Sequence, residues 1–307
     1  MAWRIHLSNQ ALQHLDILPG KAPVLVVWLR RSRVQFYDLD TGTFLEERRI
    51  VAPVSSNRQA PAWQEFIARL GGPDSQTFLP HVALSGLDIY LSDDGKLRLY
   101  QVGEADLFLE MEGTEYRLEV ENARRVVALD LDRALGMIAA LDDTGKLHLY
   151  QQNIRLGVFD MRLSITPDQR PAVAIARGGG SIYVTDGHQL VLTDSSGAIQ
   201  QSLELHYEVG RLACSPVGGM LAISDTSAGV IRLYRGEDLQ LTHQKFAVDL
   251  VANATQVQLM AELPPLGATV SALAAYARGM VAFAMSGVVC VSEVGYMDAL
   301  PQPRPLL

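Results

Sequence analysis

The chain has 307 residues, of which 48% are hydrophobic and 20% charged. That balance excludes a disordered polypeptide and leaves room for one large core or two ordinary domains. With 26 basic against 34 acidic side chains the formal charge is −8, which argues against nucleic acid as the main ligand, because phosphate binding needs a concentrated basic face.

The amino terminus, MAWRIHLSNQALQHLDILPG, is broken by polar residues every two or three positions. It has neither the apolar run of a signal peptide nor a membrane-spanning stretch, so a cytoplasmic protein without a membrane span is expected. WRIHL (Trp3 to Leu7) reads as a spare strand, and HLDILPG from His14 as an apolar strand closing on a turn. WLRRSRVQFYDLDTG follows, from Trp28 to Gly42, and then the more polar TFLEERRI. Arg30, Arg31, Arg33, Arg48 and Arg49 give residues 1–69 a balance of +3 against −11 for the remainder. Such a cluster suits a solvated strand edge, where charge blocks edge-to-edge pairing. A patch for phosphate or an acidic partner is the other reading.

Between 55 and 78 the periodicity changes. In PAWQEFIARLGGP, Trp63, Phe66, Ile67 and Leu70 fall at i, i+3, i+4 and i+7, one face of a short helix begun by Pro61 and stopped by Gly71-Gly72-Pro73. That face must bury against something, either its own domain or a partner. After it come HVALSG and LSDDGKLRLYQ (Leu91 to Gln101), with TEYRLEVEN (Thr114 to Asn122) as an extra alternating strand. VVALDLDRALG and LDDTGKLHLYQ (Leu141 to Gln151) repeat the pattern, then AVAIARGGG with VTDGHQLVLTDSSG, then RLACSPVGG with ISDTSAGVIRLYR. A second insertion, 248–268, alternates Val257, Leu259, Ala261 and Leu263 before Pro264-Pro265, and reads as an extra edge hairpin. ALAAYARG and AMSGVVCVSEVG complete the series, and residues 298–307 form a proline-rich tail.

Aligned on the residue ending each alternating strand (Tyr37, Tyr100, Tyr150, Thr193, Tyr234, Ser292), the units lie 63, 50, 43, 41 and 58 residues apart. Four strands need about 40–50 residues, and the two long spacings hold the two insertions. Each unit has a densely apolar first strand, a hairpin and a polar last strand, as expected of a sheet packed between neighbours with its outer edge in water. The last unit lacks an outer strand, because prolines cannot donate to a ladder, and Trp3–Leu7 is expected to supply it and close the ring. The expectation is a single all-β domain over 1–307, a six-bladed β-propeller. Seven blades are the alternative if an insertion hides a degenerate unit. DDGKLRLYQ and YDLDTG resemble blade motifs of the divergent WD40/YVTN-type propeller superfamily over nearly the whole chain. No Trp-Asp pair ends a third strand, so the resemblance implies fold more than function.

Chemistry is sparse. Seven scattered histidines, no CxxC, no HExxH, no GxSxG and no P-loop leave no catalytic or cofactor motif. Cys214 and Cys290 sit in apolar runs and read as buried free thiols. Gly178-Gly179-Gly180 reads as a hairpin turn. Asp93-Asp94, Asp142-Asp143, Asp186 and Asp225 all fall in second-to-third-strand turns, where Asp caps the backbone. The sharper reading is an acidic ring on one face, broken by Arg30-Arg31, that draws a cation or basic partner. The expected function is a non-enzymatic protein-protein interaction or scaffolding module without cofactor. Its candidate partner-binding residues are Arg30, Arg31, Trp63, Phe66, Ile67, Leu70, Asp94 and Asp143. A propeller hydrolase or lyase assisted by a divalent metal is the alternative.

Overall fold

The computed structural model describes residues 2–7, 12–30, 33–50, 81–84, 87–92, 96–121, 123–216, 218–257, 263–265 and 268–295. Their strands form six sheets. Blade one is β2 (Leu12–Leu18), β3 (Val24–Leu29), β4 (Arg33–Asp38) and β5 (Phe44–Arg49). Blade two is β6 (His81–Leu84), β7 (Leu87–Leu91), β8 (Leu97–Val102), β9 (Asp106–Met111) and the fifth strand β10 (Thr114–Leu118). Blade three runs β11 (Val126–Asp132), β12 (Met137–Asp142), β13 (Lys146–Gln151), β14 (Ile154–Asp160). Blade four runs β15 (Ala172–Ile175), β16 (Ile182–Thr185), β17 (Gln189–Thr193), β18 (Ile199–Glu204). Blade five runs β19 (Val209–Cys214), β20 (Met220–Asp225), β21 (Val230–Arg235), β22 (Leu241–Phe246). Blade six is β24 (Ala272–Ala275), β25 (Met280–Met285) and β26 (Val288–Glu293), with β1 (Trp3–His6) as its fourth strand.

Burial follows position in the blade. The second strands β12 and β20 are buried at every residue, whereas the outer strand β5 is exposed at all but one. A strand covered on both faces loses alternation; an edge strand keeps its polar residues. Six hydrophobic clusters among the described residues fill the six gaps between neighbouring blades. The ring count expected from the repeats is the observed one.

Closure occurs as the missing outer strand required. β1 pairs antiparallel with β26, from Trp3 opposite Val291 to His6 opposite Val288. Trp3 is buried, donates its indole N–H to Leu39 O at 2.7 Å in blade one, and lies against Tyr37. Gly42 (φ 73°) permits this seat, since a Cβ there would stand 2.7 Å from the Trp3 ring. On its far side β1 takes a parallel partner, β23 (Thr255–Gln256).

The described residues of 248–268 open with a helix where a hairpin is expected; 258–262 and 266–267 lie outside the described residues. Residues Ala247–Asn253 form a helix, α1, whose Ala247, Leu250 and Val251 are buried against blades five and six, and β23 follows as a lone edge strand. The alternation from Val257 onward has the period of a strand, whereas Ala247, Leu250 and Val251, at i, i+3 and i+4, carry that of a helix. Arg4 of β1 donates to the carbonyls of Val251 and Ala252, capping the carboxyl end of α1. The expected helix over 55–78 and the tail over 298–307 lie outside the described residues.

The strands of blade two are offset by one from those of the other blades. In blade three, Val126 pairs with Asp142 at one end, and the first hairpin turn with Gly136 lies at the other. Leu97, at the second-to-third-strand turn of blade two, packs on Gly136, while Glu104 O, one turn later, accepts from Val126 N at 2.7 Å. The second-to-third turn of blade two therefore shares a face with the first-to-second turn of blade three. The fifth strand β10 then returns the chain to the side on which β11 begins.

Trp3→Ala is expected to cost about 3–5 kcal/mol, the range for truncating a buried aromatic, measured by denaturant unfolding. Unchanged stability would show that β1 does not close the ring.

Candidate functional site: the turns and mouths of the central channel

The turn aspartates are structural in detail. Asp142 Oδ1 accepts from Thr144 N at 2.8 Å, Thr144 Oγ1 at 2.7 Å and Lys146 N at 3.0 Å, and its Oδ2 from His148 Nε2 at 2.8 Å. Asp186 Oδ1 accepts from the backbone of His188 and Gln189, and Asp225 Oδ1 from that of Ala228 and Val230. Arg232 neutralises Asp225 at 2.8 Å while stacking its guanidinium 3.8 Å from the Tyr207 ring centre. In blade two Ser92 does this work, its Oγ accepting from Leu97 N at 3.0 Å. These aspartates are buried, so their oxygens are occupied by the turns they shape.

Asp143 is half-buried and accepts from Arg124 N and Arg125 N, fixing the entry to β11. Arg30 is exposed in the turn after β3. Arg31, Trp63, Phe66, Ile67, Leu70 and Asp94 lie outside the described residues. The single-faced acidic ring is corrected on two grounds. Blade two presents its turn on the opposite face, and the described carboxylates are engaged internally. Among the described residues no group of three or more His, Cys, Asp or Glu is placed to hold a metal ion.

The inner strands surround a channel. Its lower mouth, on the face bearing the first hairpin turns of blades one and three to six, opens on a cavity of about 310 Å³. Asp16 of β2 and Arg133 after β11 pair across it at 2.8 Å, tying blade one to blade three. Asp130 Oδ2 accepts from Ile175 N at 2.8 Å and Asp132 Oδ2 from Gly178 N at 3.1 Å, stitching blade three to blade four. The glycine triplet is thus a hairpin turn held by a carboxylate, as its sequence context suggested. Cys214 is half-buried in the cavity wall rather than buried; Cys290 is buried, and desolvation pushes its thiol up to about 12.

At the opposite, upper mouth the charges differ in kind. Arg124 and Arg125 stand just before β11, Arg170 two residues before β15, and Arg211 on β19, all exposed. Arg211 donates Nε to Ser271 O at 2.8 Å and Nη1 to Gly210 O at 3.0 Å. Its pKa is lowered first by the protein crowding it and then by the charge of Arg170. Sequence reasoning missed these four, because the strongest arginine cluster lay in blade one.

No protein-family model matches the chain, and no curated protein does. Solved structures do. The chain is similar to the β-propeller domain of Cps50 (Swd1) from Myceliophteria thermophila, at 12% identity and TM-score 0.61 over 94% of this chain and 99% of that one. It is similar to BamB from Moraxella catarrhalis, at 12% identity and TM-score 0.53 over 98% and 87%. It also matches the computationally designed Ika8 protein, at 12% identity and TM-score 0.58 over 96% and 99%. At such identities the shared property is the propeller fold, in agreement with the blade motifs.

Burial raises the pKa of Asp142, but hydrogen bonds from His148, Thr144 and Lys146 outweigh it and bring the value to about 2. The stability it contributes is present above its unfolded pKa of 3.8 and is lost as pH falls towards 2. Between pH 5 and pH 2 the protein should lose on the order of 2 kcal/mol more than the Asp142→Asn variant. Parallel acid profiles in urea titrations would disprove this.

Proposed function

We propose that the protein is a non-enzymatic interaction scaffold, a rigid ring whose upper face receives a protein partner. The observation that carries this reading is where the chemistry-bearing side chains are engaged. Asp16, Asp130, Asp132, Asp142, Asp186 and Asp225 each hold a turn, a neighbouring blade or an arginine. Carboxylates so bound are poor general bases and poor metal ligands, because either role would require breaking buried hydrogen bonds. What remains available is surface, positioned by a framework that does not have to move. Inter-blade hydrogen bonds such as Asp132 to Gly178 N keep the loops of neighbouring blades in fixed relation, and a preorganised surface loses little entropy on docking.

Crosslinking mass spectrometry on the protein in its native assembly tests this. Crosslinks to a partner are expected to gather on the upper face, around Arg125, Arg170 and the turns of blades three to five. The thermal midpoint is expected to stay unmoved by excess calcium or zinc, since only a ligand of the folded state raises it. A free monomer whose midpoint climbs with either ion would instead favour the metal-assisted hydrolase or lyase.

A further inference from the structure

We propose that the upper channel mouth at blades three to five is a receptor for an acidic peptide segment of a protein partner, held by Arg170 and Arg211 and flanked by Arg124 and Arg125. The inference rests on the scaffold reading and adds the chemistry of what docks. Its starting point is an imbalance. In a chain with more acidic than basic groups, arginines find carboxylates easily, and most of those on the blade flanks have done so. Arg33 pairs with Glu47, Arg98 with Glu110, Arg117 with Asp106, Arg155 with Glu121 and Arg235 with Asp238. The four at the upper mouth form no ion pair with any described carboxylate.

Arg170 and Arg211 are close enough for the charge of one to lower the pKa of the other. Two guanidiniums within range of one another's charge repel; an incoming carboxylate offsets the repulsion and gains charge-assisted hydrogen bonds. Arg211 is prepared for this. Its Nε and Nη1 are tied to the carbonyls of Ser271 and Gly210, which fixes the plane of the guanidinium. Glu208, on the same rim, is engaged by Thr226, whose hydroxyl donates to its carboxylate at 2.8 Å. Arg125 and Arg170 precede the inner strands of adjacent blades, β11 and β15. Four guanidiniums grouped at one mouth of a chain of charge −8 suit a short anionic segment rather than a long phosphate backbone, which needs an extended basic face.

The test uses the full chain and fluorescence anisotropy with a fluorescein-labelled eight-residue Asp/Glu peptide, its Asn/Gln counterpart and a single-stranded oligonucleotide. The acidic peptide is expected to bind saturably, with affinity falling as salt rises. Arg170→Glu, at an exposed position, should weaken it by at least about tenfold, and Arg125→Glu should also weaken it, both with unchanged circular dichroism and melting. Equal binding of the Asn/Gln peptide, equal affinity in the variants, or no saturable binding would overturn the proposal. Tighter arginine-dependent binding of the oligonucleotide would overturn it too. If the acidic peptide fails while partner crosslinks persist on the upper face, the acidic-segment assignment falls alone. If no partner crosslinks form, the scaffold reading falls with it.

Discussion

A propeller depends on its closure. Every blade is a twisted sheet with two apolar faces, and each face is covered only by the next blade. In an open array the first and last sheets would each expose one of them. Here the first blade and the last meet through β1, which belongs to blade six by hydrogen bonding and to the start of the chain by sequence. Trp3 makes the junction specific, since its ring fills the gap over Gly42 and its indole N–H reaches Leu39 O across the seam. Arg4 adds a second tie by capping α1. The bond between the chain ends is therefore lateral hydrogen bonding plus a buried aromatic, with no covalent link.

With the ring closed, rigidity on a smaller scale comes from carboxylates. Within blades they cap the second hairpin turn; between blades three and four Asp130 and Asp132 reach the next backbone, and between blades one and three Asp16 meets Arg133. Each replaces a water-bound turn with a charge-assisted one. This use of acidic residues leaves Arg124, Arg125, Arg170 and Arg211 without an ion pair to any described carboxylate.

Much of this fold was legible in the sequence because a propeller repeats itself. The six apolar inner strands, the fifth strand at Thr114 and the closing strand at Trp3 all follow from alternation and from counting strands. Local period fails where an element is short. α1 has seven residues, and its i, i+3, i+4 triplet was overshadowed by alternation at Val257 and beyond. The arginine mouth was hidden for a different reason. Arg125, Arg170 and Arg211 are separated by dozens of residues, and only the curvature of the ring brings their strand beginnings to one rim. Aligning the turn motifs also implied one common face, an assumption that holds only while every blade has an even number of strands.

Blade two breaks that evenness, and an arithmetic of insertions follows. In an antiparallel sheet each added strand moves the exit of the chain to the opposite face. β5 ends on the upper face and β6 begins on the lower, and the odd number of strands in blade two brings the chain back to the upper face before β11. A second blade with one strand fewer would deliver the chain to the wrong face for the next inner strand.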